Sequence, residues 1–293
     1  MTIHELRCFG LRAGEGNAAL VVEDDHGDAA ARQAFATAQG RSASVFIDRT
    51  AGAGAASMAS TASIAGVAGA ATAAGADDGA APAITLDYFY PHMRSPLCLH
   101  ATLAAAAVLF ARQDTDAPIA VATAMHAQPL ELSRADGMIY VRLSRQPTPP
   151  VDVDDALAQR LLGAAGVPGG AHVASVGSPK LLIEVADRAT LAALAPDLDA
   201  IVAWGRAQGV NGCYAWCHLP DGDYEGRNFN HLPGATEDSA TGVAAGALTA
   251  MLGHGLRLLQ GSASGQPCLM VTRIDGDAIL VGGRAQQTVQ AGA

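Results

Sequence analysis

The chain has 293 residues, 50% of them hydrophobic and 16% charged, with a formal net charge of −10. That length is enough for one large or two modest domains with a buried core. The acidic balance argues against a nucleic-acid partner, because binding phosphates needs a basic face.

In chain order, the opening MTIHELRCFG has neither a basic region nor an apolar run and does not read as a signal peptide. Strands are expected at His4–Leu11, Ala19–Glu23, Ser44–Asp48, Leu86–Tyr90 and Ile139–Ser144. Further strands are expected at Leu181–Val185, Gly212–Cys217, Leu269–Ile274 and Ala278–Gly282. Helices are expected at Asp28–Gln39, Thr102–Arg112, Asp154–Ala164, Ala189–Ala195, Leu198–Gln208 and Gly242–His254. Between Ala51 and Ala83 lies a tract with 16 Ala and 6 Gly in 33 residues, showing neither a helical stripe nor alternation. It reads as a solvated insertion. Its uncharged part is too poor in Leu, Ile, Val and Phe to enter a bilayer, so no membrane partner is expected.

The five cysteines are odd in number and scattered, which fits a reduced, cytoplasmic protein. Cys213 and Cys217 lack a second Cys/His pair nearby, and no His-Glu-x-x-His run occurs, so no metal is expected. Gly14-x-Gly16-x-x-Ala19 is followed by a strand where the dinucleotide fingerprint requires a helix. Gly177-Ser178-Pro179-Lys180 lacks the spacing of a phosphate-binding loop.

Internal similarity is more informative. His100 to Leu109 can be laid on Ser239 to Leu248 with five identities in ten, at an offset of 139. Gly16–Glu23 matches Gly177–Glu184 in pattern, at an offset of 161. Two related halves account for both matches, the surplus in the first half falling where the Ala/Gly tract sits. Each half then holds one helix rich in Ala and Gly and apolar all round, which marks a buried helix. The expected fold is α/β (α+β), with two curved sheets each wrapped about a small-residue helix.

Both helices start at polar clusters, Cys98–Thr102 and Glu237–Thr241. A helix N-terminus offers unpaired N–H groups and partial positive charge, suited to a carboxylate or enolate. Two such termini meeting at a cleft would take a small acid, with Asp238 as candidate base or amine anchor and His100 as proton shuttle. Ordinary N-capping by Thr102, Asp238, Ser239 and Thr241 is the competing explanation.

These residues resemble a family. Phe9-Gly10, Gly16-Asn17-Ala18-Ala19-Leu20-Val21-Val22, Pro96-Leu97-Cys98-Leu99-His100-Ala101-Thr102 and Glu237-Asp238-Ser239-Ala240-Thr241-Gly242 are similar to signatures of the PhzF-like isomerases of phenazine biosynthesis. Gln260-Gly261, Gly265-Gln266-Pro267 and Val281-Gly282-Gly283 resemble that family's closing strands. The resemblance implies two pseudo-symmetric domains of the diaminopimelate epimerase fold, over residues 1–117 and 118–276, with 277–293 able to cross back to the first. It also implies a homodimer that moves a proton beside the carboxylate of a small molecule without any cofactor. By resemblance, His100 and Asp238 are catalytic. Asn17, Ser42, Leu99, Ala101, Thr241, Gly242 and Val243 fall at substrate-binding positions.

The chain departs from the pattern at three of these places. Ala43 stands where the family has its proton-shuttling glutamate, Leu99 where it has glycine, and Val243 where it has serine. An alanine cannot carry a proton, so an inactive relative that binds a small acid or a protein partner is the alternative expectation. Related racemases use a thiol at the place of Cys98 with a second thiol opposite. Asp238–Gly242 contains no second thiol, and Cys98 is read as a small buried hydrophobe.

Overall fold

Alternating apolar residues and short turns build the first half of the molecule. The computed structural model describes residues 1–49, 83–151, 153–154, 156–163, 170–230 and 237–288. The Ala/Gly tract, apart from Ala83, lies outside the described residues, as do two positions of the Asp154–Ala164 helix candidate. The first half comprises β1 (Thr2–Phe9), β2 (Gly16–Glu23), α1 (Ala29–Gln39), β3 (Ala43–Arg49), β4 (Ile84–Tyr90) and β5 (Met93–Ser95). It continues with α2 (Leu99–Phe110), β6 (Ile119–Thr123), β7 (Pro129–Ala135) and β8 (Met138–Ser144). The second half comprises α3 (Leu157–Leu162), β9 (Ala171–Ala174), β10 (Lys180–Glu184), α4 (Arg188–Ala193), α5 (Leu198–Gln208), β11 (Cys213–His218) and β12 (Tyr224–Phe229). It ends with α6 (Gly242–Leu252), β13 (Arg257–Gln260), β14 (Cys268–Asp275), β15 (Ala278–Gly283) and β16 (Ala285–Gln287).

The halves repeat one pairing scheme. In the first, β1–β2 is antiparallel, β2–β3 parallel, β3–β4 antiparallel and β4–β6 parallel, with β6, β7 and β8 an antiparallel meander. In the second, β9–β10, β10–β11, β11–β12, β12–β13 and the meander of β13, β14 and β15 follow in the same order and sense. β8 pairs antiparallel with β15 and joins the two halves, while β16 returns to pair with β1. This is the two-fold diaminopimelate epimerase-like architecture that the sequence predicts.

Alanine-rich α2 and α6 sit at the centre of each half because small side chains let strands close in from several sides. Ala101, Ala104, Ala105, Ala106, Ala244, Ala245 and Ala247 are buried in one continuous core with Val21, Val45, Leu182 and Val281. The fit leaves no slack: a Cβ at Gly246 would lie 2.7 Å from Val176 Cγ2. α2 begins 143 residues before α6 and ends 142 before it, so the identities at an offset of 139 are about one turn out of step. Near-uniform alanine gives a sequence comparison little to fix register.

Outside the sheet, α1 packs through Phe35 on Phe46, itself edge-on to Phe89. A second core joins α3, α4 and α5 to β10 and β11 through Leu157, Leu161, Leu191, Ile201, Leu181 and Ile183.

Candidate active site

Where α2 and α6 begin, the halves enclose a cavity of about 460 Å³. The helix starts abut directly: a Cβ on Gly242 would fall 2.8 Å from Leu99 Cβ and 3.3 Å from Phe9 Cζ. Only glycine fits at the first residue of α6, and Leu99 spends its side chain on that contact.

From the first half, Cys98 is the N-cap residue of α2 and its Sγ lies 3.4 Å from His100 Nδ1. Burial alone pushes the thiol up. The positive His100, the hydrogen bonds from His100, the Ala101 N–H and the Tyr90 hydroxyl outweigh it and hold Cys98 below the ordinary thiol range. His100 shows the converse: burial lowers it, but Cys98 and Asp238 raise it above the ordinary imidazole value. Each group therefore favours the charged form of the other, against the effect of burial. His100 lines the cavity and Cys98 stands behind it. The thiol is buried, as the sequence suggests, but it is an electrostatic partner and not merely a small hydrophobe. Burial, with Cys98 and Asp238 nearby, pushes Tyr90 well above the usual phenol range, so it remains a hydroxyl donor.

From the second half, Asp238 is held on both carboxylate oxygens. Asn17 Nδ2, reaching across from β2, donates to Oδ1 at 3.0 Å, and the Thr241 hydroxyl donates to Oδ2 at 2.8 Å. Gln260 Nε2 donates to the Asp238 carbonyl at 2.7 Å, while its Oε1 accepts from Thr241 N and the Tyr214 hydroxyl. Glu237 is tied up in a two-point pair with Arg227. Capping does not describe the threonines: Thr102 donates to the Cys98 carbonyl at 2.8 Å, and neither α2 nor α6 has a side-chain cap hydrogen bond.

Of the residues singled out from sequence, Ser42, His100, Asp238, Thr241 and Val243 line the cavity. Asn17 stands behind Asp238. Leu99 and Gly242 form the buried contact of the helix starts, Ala101 is fully buried in the core, and Ala43 is fully buried on the inner face of β3. Sequence reasoning missed Tyr90, Gln260, Asn228 and Lys180. Lys180 carried a readable signal: it is the only lysine in the chain. Its Nζ donates to the Asn211 carbonyl, and burial pushes the ammonium down to about 8, with Asp238 and Cys213 opposing that shift. Asn228 Oδ1 is buried in the cavity region without a hydrogen-bond partner. Among the described residues, no group of three His, Cys, Asp or Glu side chains is placed to hold a metal, and no helix is long and apolar enough to cross a membrane.

With the fold and this constellation in hand, comparison with known proteins is decisive for ancestry. A sequence profile described as phenazine biosynthesis-like protein (PhzC-PhzF) matches residues 7–291. The chain belongs to that family. Within the PhzF-like proteins, it is 31% identical over 199 residues to the trans-2,3-dihydro-3-hydroxyanthranilate isomerase of Pseudomonas aeruginosa, covering 64% of this chain and 69% of that one. It is 30% identical over 182 residues to the uncharacterized isomerase YddE of Escherichia coli, covering 58% of this chain and 61% of that one. Among solved structures, a PhzF-family protein of Enterococcus faecalis superposes with a TM-score of 0.70 at 18% identity, covering 98% and 96% of the two chains. A hydroxyproline epimerase of Agrobacterium vitis does so with a TM-score of 0.57 at 11% identity, covering 98% and 90%. These likenesses establish a PhzF-family protein of isomerase or epimerase type.

Proposed function

We propose that this PhzF-like protein moves a proton at the carbon beside the carboxylate of a small acid, without a cofactor. The observation carrying this reading is that His100 and Asp238, from opposite halves, line one cavity where two helix N-termini meet. His100, whose proton affinity is raised by Cys98 behind it, serves as the acid that delivers a proton to substrate carbon or oxygen. Asp238, whose two oxygens already accept from Asn17 and Thr241, orients substrate donors and accepts the proton that leaves. Charge developing on the substrate as an enolate meets the positive ends of α2 and α6.

The reading is tested by incubating the protein with a panel of amino and hydroxy acids in D₂O and following deuterium at Cα by NMR. Exchange that disappears in His100→Gln and Asp238→Asn supports it; folded wild-type protein that exchanges nothing across the panel sinks it. The second reading, an acid-binding relative without turnover, is favoured by Ala43, where the family resemblance places a glutamate. Ala43→Glu separates the two. Exchange gained only in the variant supports the non-catalytic reading, whereas wild type exchanging as fast as the variant removes it. A homodimer, expected from the family, is checked by light scattering.

A further inference from the structure

Lys180 is the one lysine or arginine among the described residues lining the cavity. The nearby arginines are committed elsewhere, Arg227 to Glu237 and Arg94 to Asp87. Lys180 is 4% exposed, and its ammonium donates to a neutral carbonyl, that of Asn211. No carboxylate among the described residues forms an ion pair with it. An ammonium has three donors, and a single neutral acceptor does not offset burial of its charge. Such a lysine stays in a fold at a cost in stability. Asn228 Oδ1, buried and without a partner, is an acceptor in the same cavity. A cation lacking an anion and an acceptor lacking a donor are together complementary to an acid bearing a hydroxyl or amino group.

We propose that Lys180 is the receptor for the carboxylate of a small 2-hydroxy or 2-amino acid, whose hydroxyl or amino group donates to Asn228. The substrate class deepens the proton-transfer reading and rests on it; the receptor itself rests on the cavity alone. The titratable groups acting on Lys180 are Asp238, from the segment before α6, and Cys213 from β11, while His100 from the start of α2 lines the same cavity. Glu237, beside Asp238, is already neutralised by Arg227. Asp238 is the one uncompensated carboxylate in this set. Its oxygens are engaged by Asn17 and Thr241, which leaves the ammonium free for an incoming acid. Because burial lowers Lys180 to about 8, an arriving carboxylate raises it again. Affinity is therefore fullest below that pH and falls about tenfold per unit above it.

The single lysine makes the test direct, since protein grown on [¹³C]lysine gives one Cε resonance. The probes are phenylacetate, the uncharged phenylacetamide, and mandelate, which adds a 2-hydroxyl. Phenylacetate is expected to shift that resonance and move its titration midpoint upward, and phenylacetamide to do neither. By calorimetry, Lys180→Met and Lys180→Gln should weaken phenylacetate binding at least about tenfold. Mandelate should bind more tightly than phenylacetate, with the advantage lost in Asn228→Leu. Absence of phenylacetate binding, an unmoved Cε resonance at saturation, or equal binding to Lys180→Met overturns the receptor. The resonance decides alone if the variants do not fold. A mandelate advantage that is absent, or that survives Asn228→Leu, overturns the Asn228 contact. Deuterium exchange at mandelate Cα, read in parallel, keeps the readings apart. Binding without exchange across the acid panel sinks the isomerase reading and leaves the receptor standing; exchange in Lys180→Met at unchanged KM sinks only the receptor.

Discussion

The two halves share a fold but contribute unlike chemistry to the cavity between them. At the start of α2 stand Cys98 and His100, a thiol and an imidazole that each favour the other's charged form. Before α6 stand Asp238 and Thr241, a carboxylate fixed by hydrogen bonds. The strands that begin beside these helices differ in the same way. In the first half Ala19 pairs with Ala43, two fully buried alanines. At the corresponding start of β10 the chain places its only lysine, facing inward like Leu182 two residues on. The two halves repeat one strand-pairing scheme, although the second adds α3 and α4 and the first adds β5, and at the cavity they present different chemistry. Where the family resemblance places a glutamate the chain has Ala43, and in the other half it carries Lys180, the acid receptor proposed above.

The largest effect that would test this division is on the imidazole. His100→Gln should lower any Cα exchange by about 10²–10⁴-fold, the usual worth of a positioned acid or base. Cys98→Ser should fall between wild type and His100→Gln, because the thiol acts through His100. It should also move the pH profile: without the Cys98 thiol, the imidazole loses its largest upward influence, and the alkaline limb, where His100 gives up its proton, shifts to lower pH. A rate lowered with an unmoved pH profile would show Cys98 to be packing alone.

Next in size is the stability cost of Lys180. Its ammonium is lowered to about 8 in the folded protein from 10.5, so between these values the unfolded chain binds the extra proton and stability rises with pH. Below about pH 8 the full penalty is present, at most roughly 3 kcal/mol for that shift. Lys180→Met is therefore expected to be more stable than wild type at pH 7, by up to that amount, with the advantage shrinking as pH climbs toward 10.5. Chemical denaturation of both proteins at several pH values checks this. A constant difference would mean that the charge is not what burial opposes.

What the sequence made legible follows the same line between frame and site. The repeat was visible because strand patterns such as Gly16–Glu23 and Gly177–Glu184 are tied to the sheet, and His100 and Asp238 were visible because they sit in short motifs. β9 and β13 were missed, since four residues carry too little alternation to register. β7 was missed although Leu130 and Leu132 alternate inward, because Pro129 suggests a break; as first residue of a strand it costs no ladder hydrogen bond. α2 starts at Leu99, three residues ahead of expectation, because no capping side chain marks its beginning. Lys180 follows a Gly-Ser-Pro turn and reads locally as solvated; only the approach of Asn211, Asp238 and the first half's wall buries it. Long-range enclosure has no local signature.

Between these two effects and the last lies Asn17→Ala, which removes the one side-chain hydrogen bond to Asp238 that comes from the other half among the described residues. A charged acceptor losing a buried donor costs about 1.5–3 kcal/mol. The loss should appear both in unfolding free energy and in a weaker response to small acids. Asn17→Asp should be worse than Asn17→Ala, since it sets two carboxylates against each other. Equal values would place Asp238's restraint elsewhere.

The smallest expected effect concerns the outer layer, where the halves should behave alike. α1 and α5 are both 11 residues long, and each begins with an Asp N-cap. Asp28 accepts from Ala31 N and Asp197 from Ala200 N, both at 2.9 Å, and each helix ends on a left-handed glycine, Gly40 or Gly209. Neither aspartate touches the cavity, so Asp28→Ala and Asp197→Ala should each cost about 1 kcal/mol, the usual worth of such a cap. Acid binding should be unchanged in both. Urea denaturation of the two variants measures the symmetry of the frame directly. A cost in one half several times that in the other would mean that the different packing beneath α1 and α5 also sets the worth of their caps, and that the contrast at the cavity is part of a wider asymmetry.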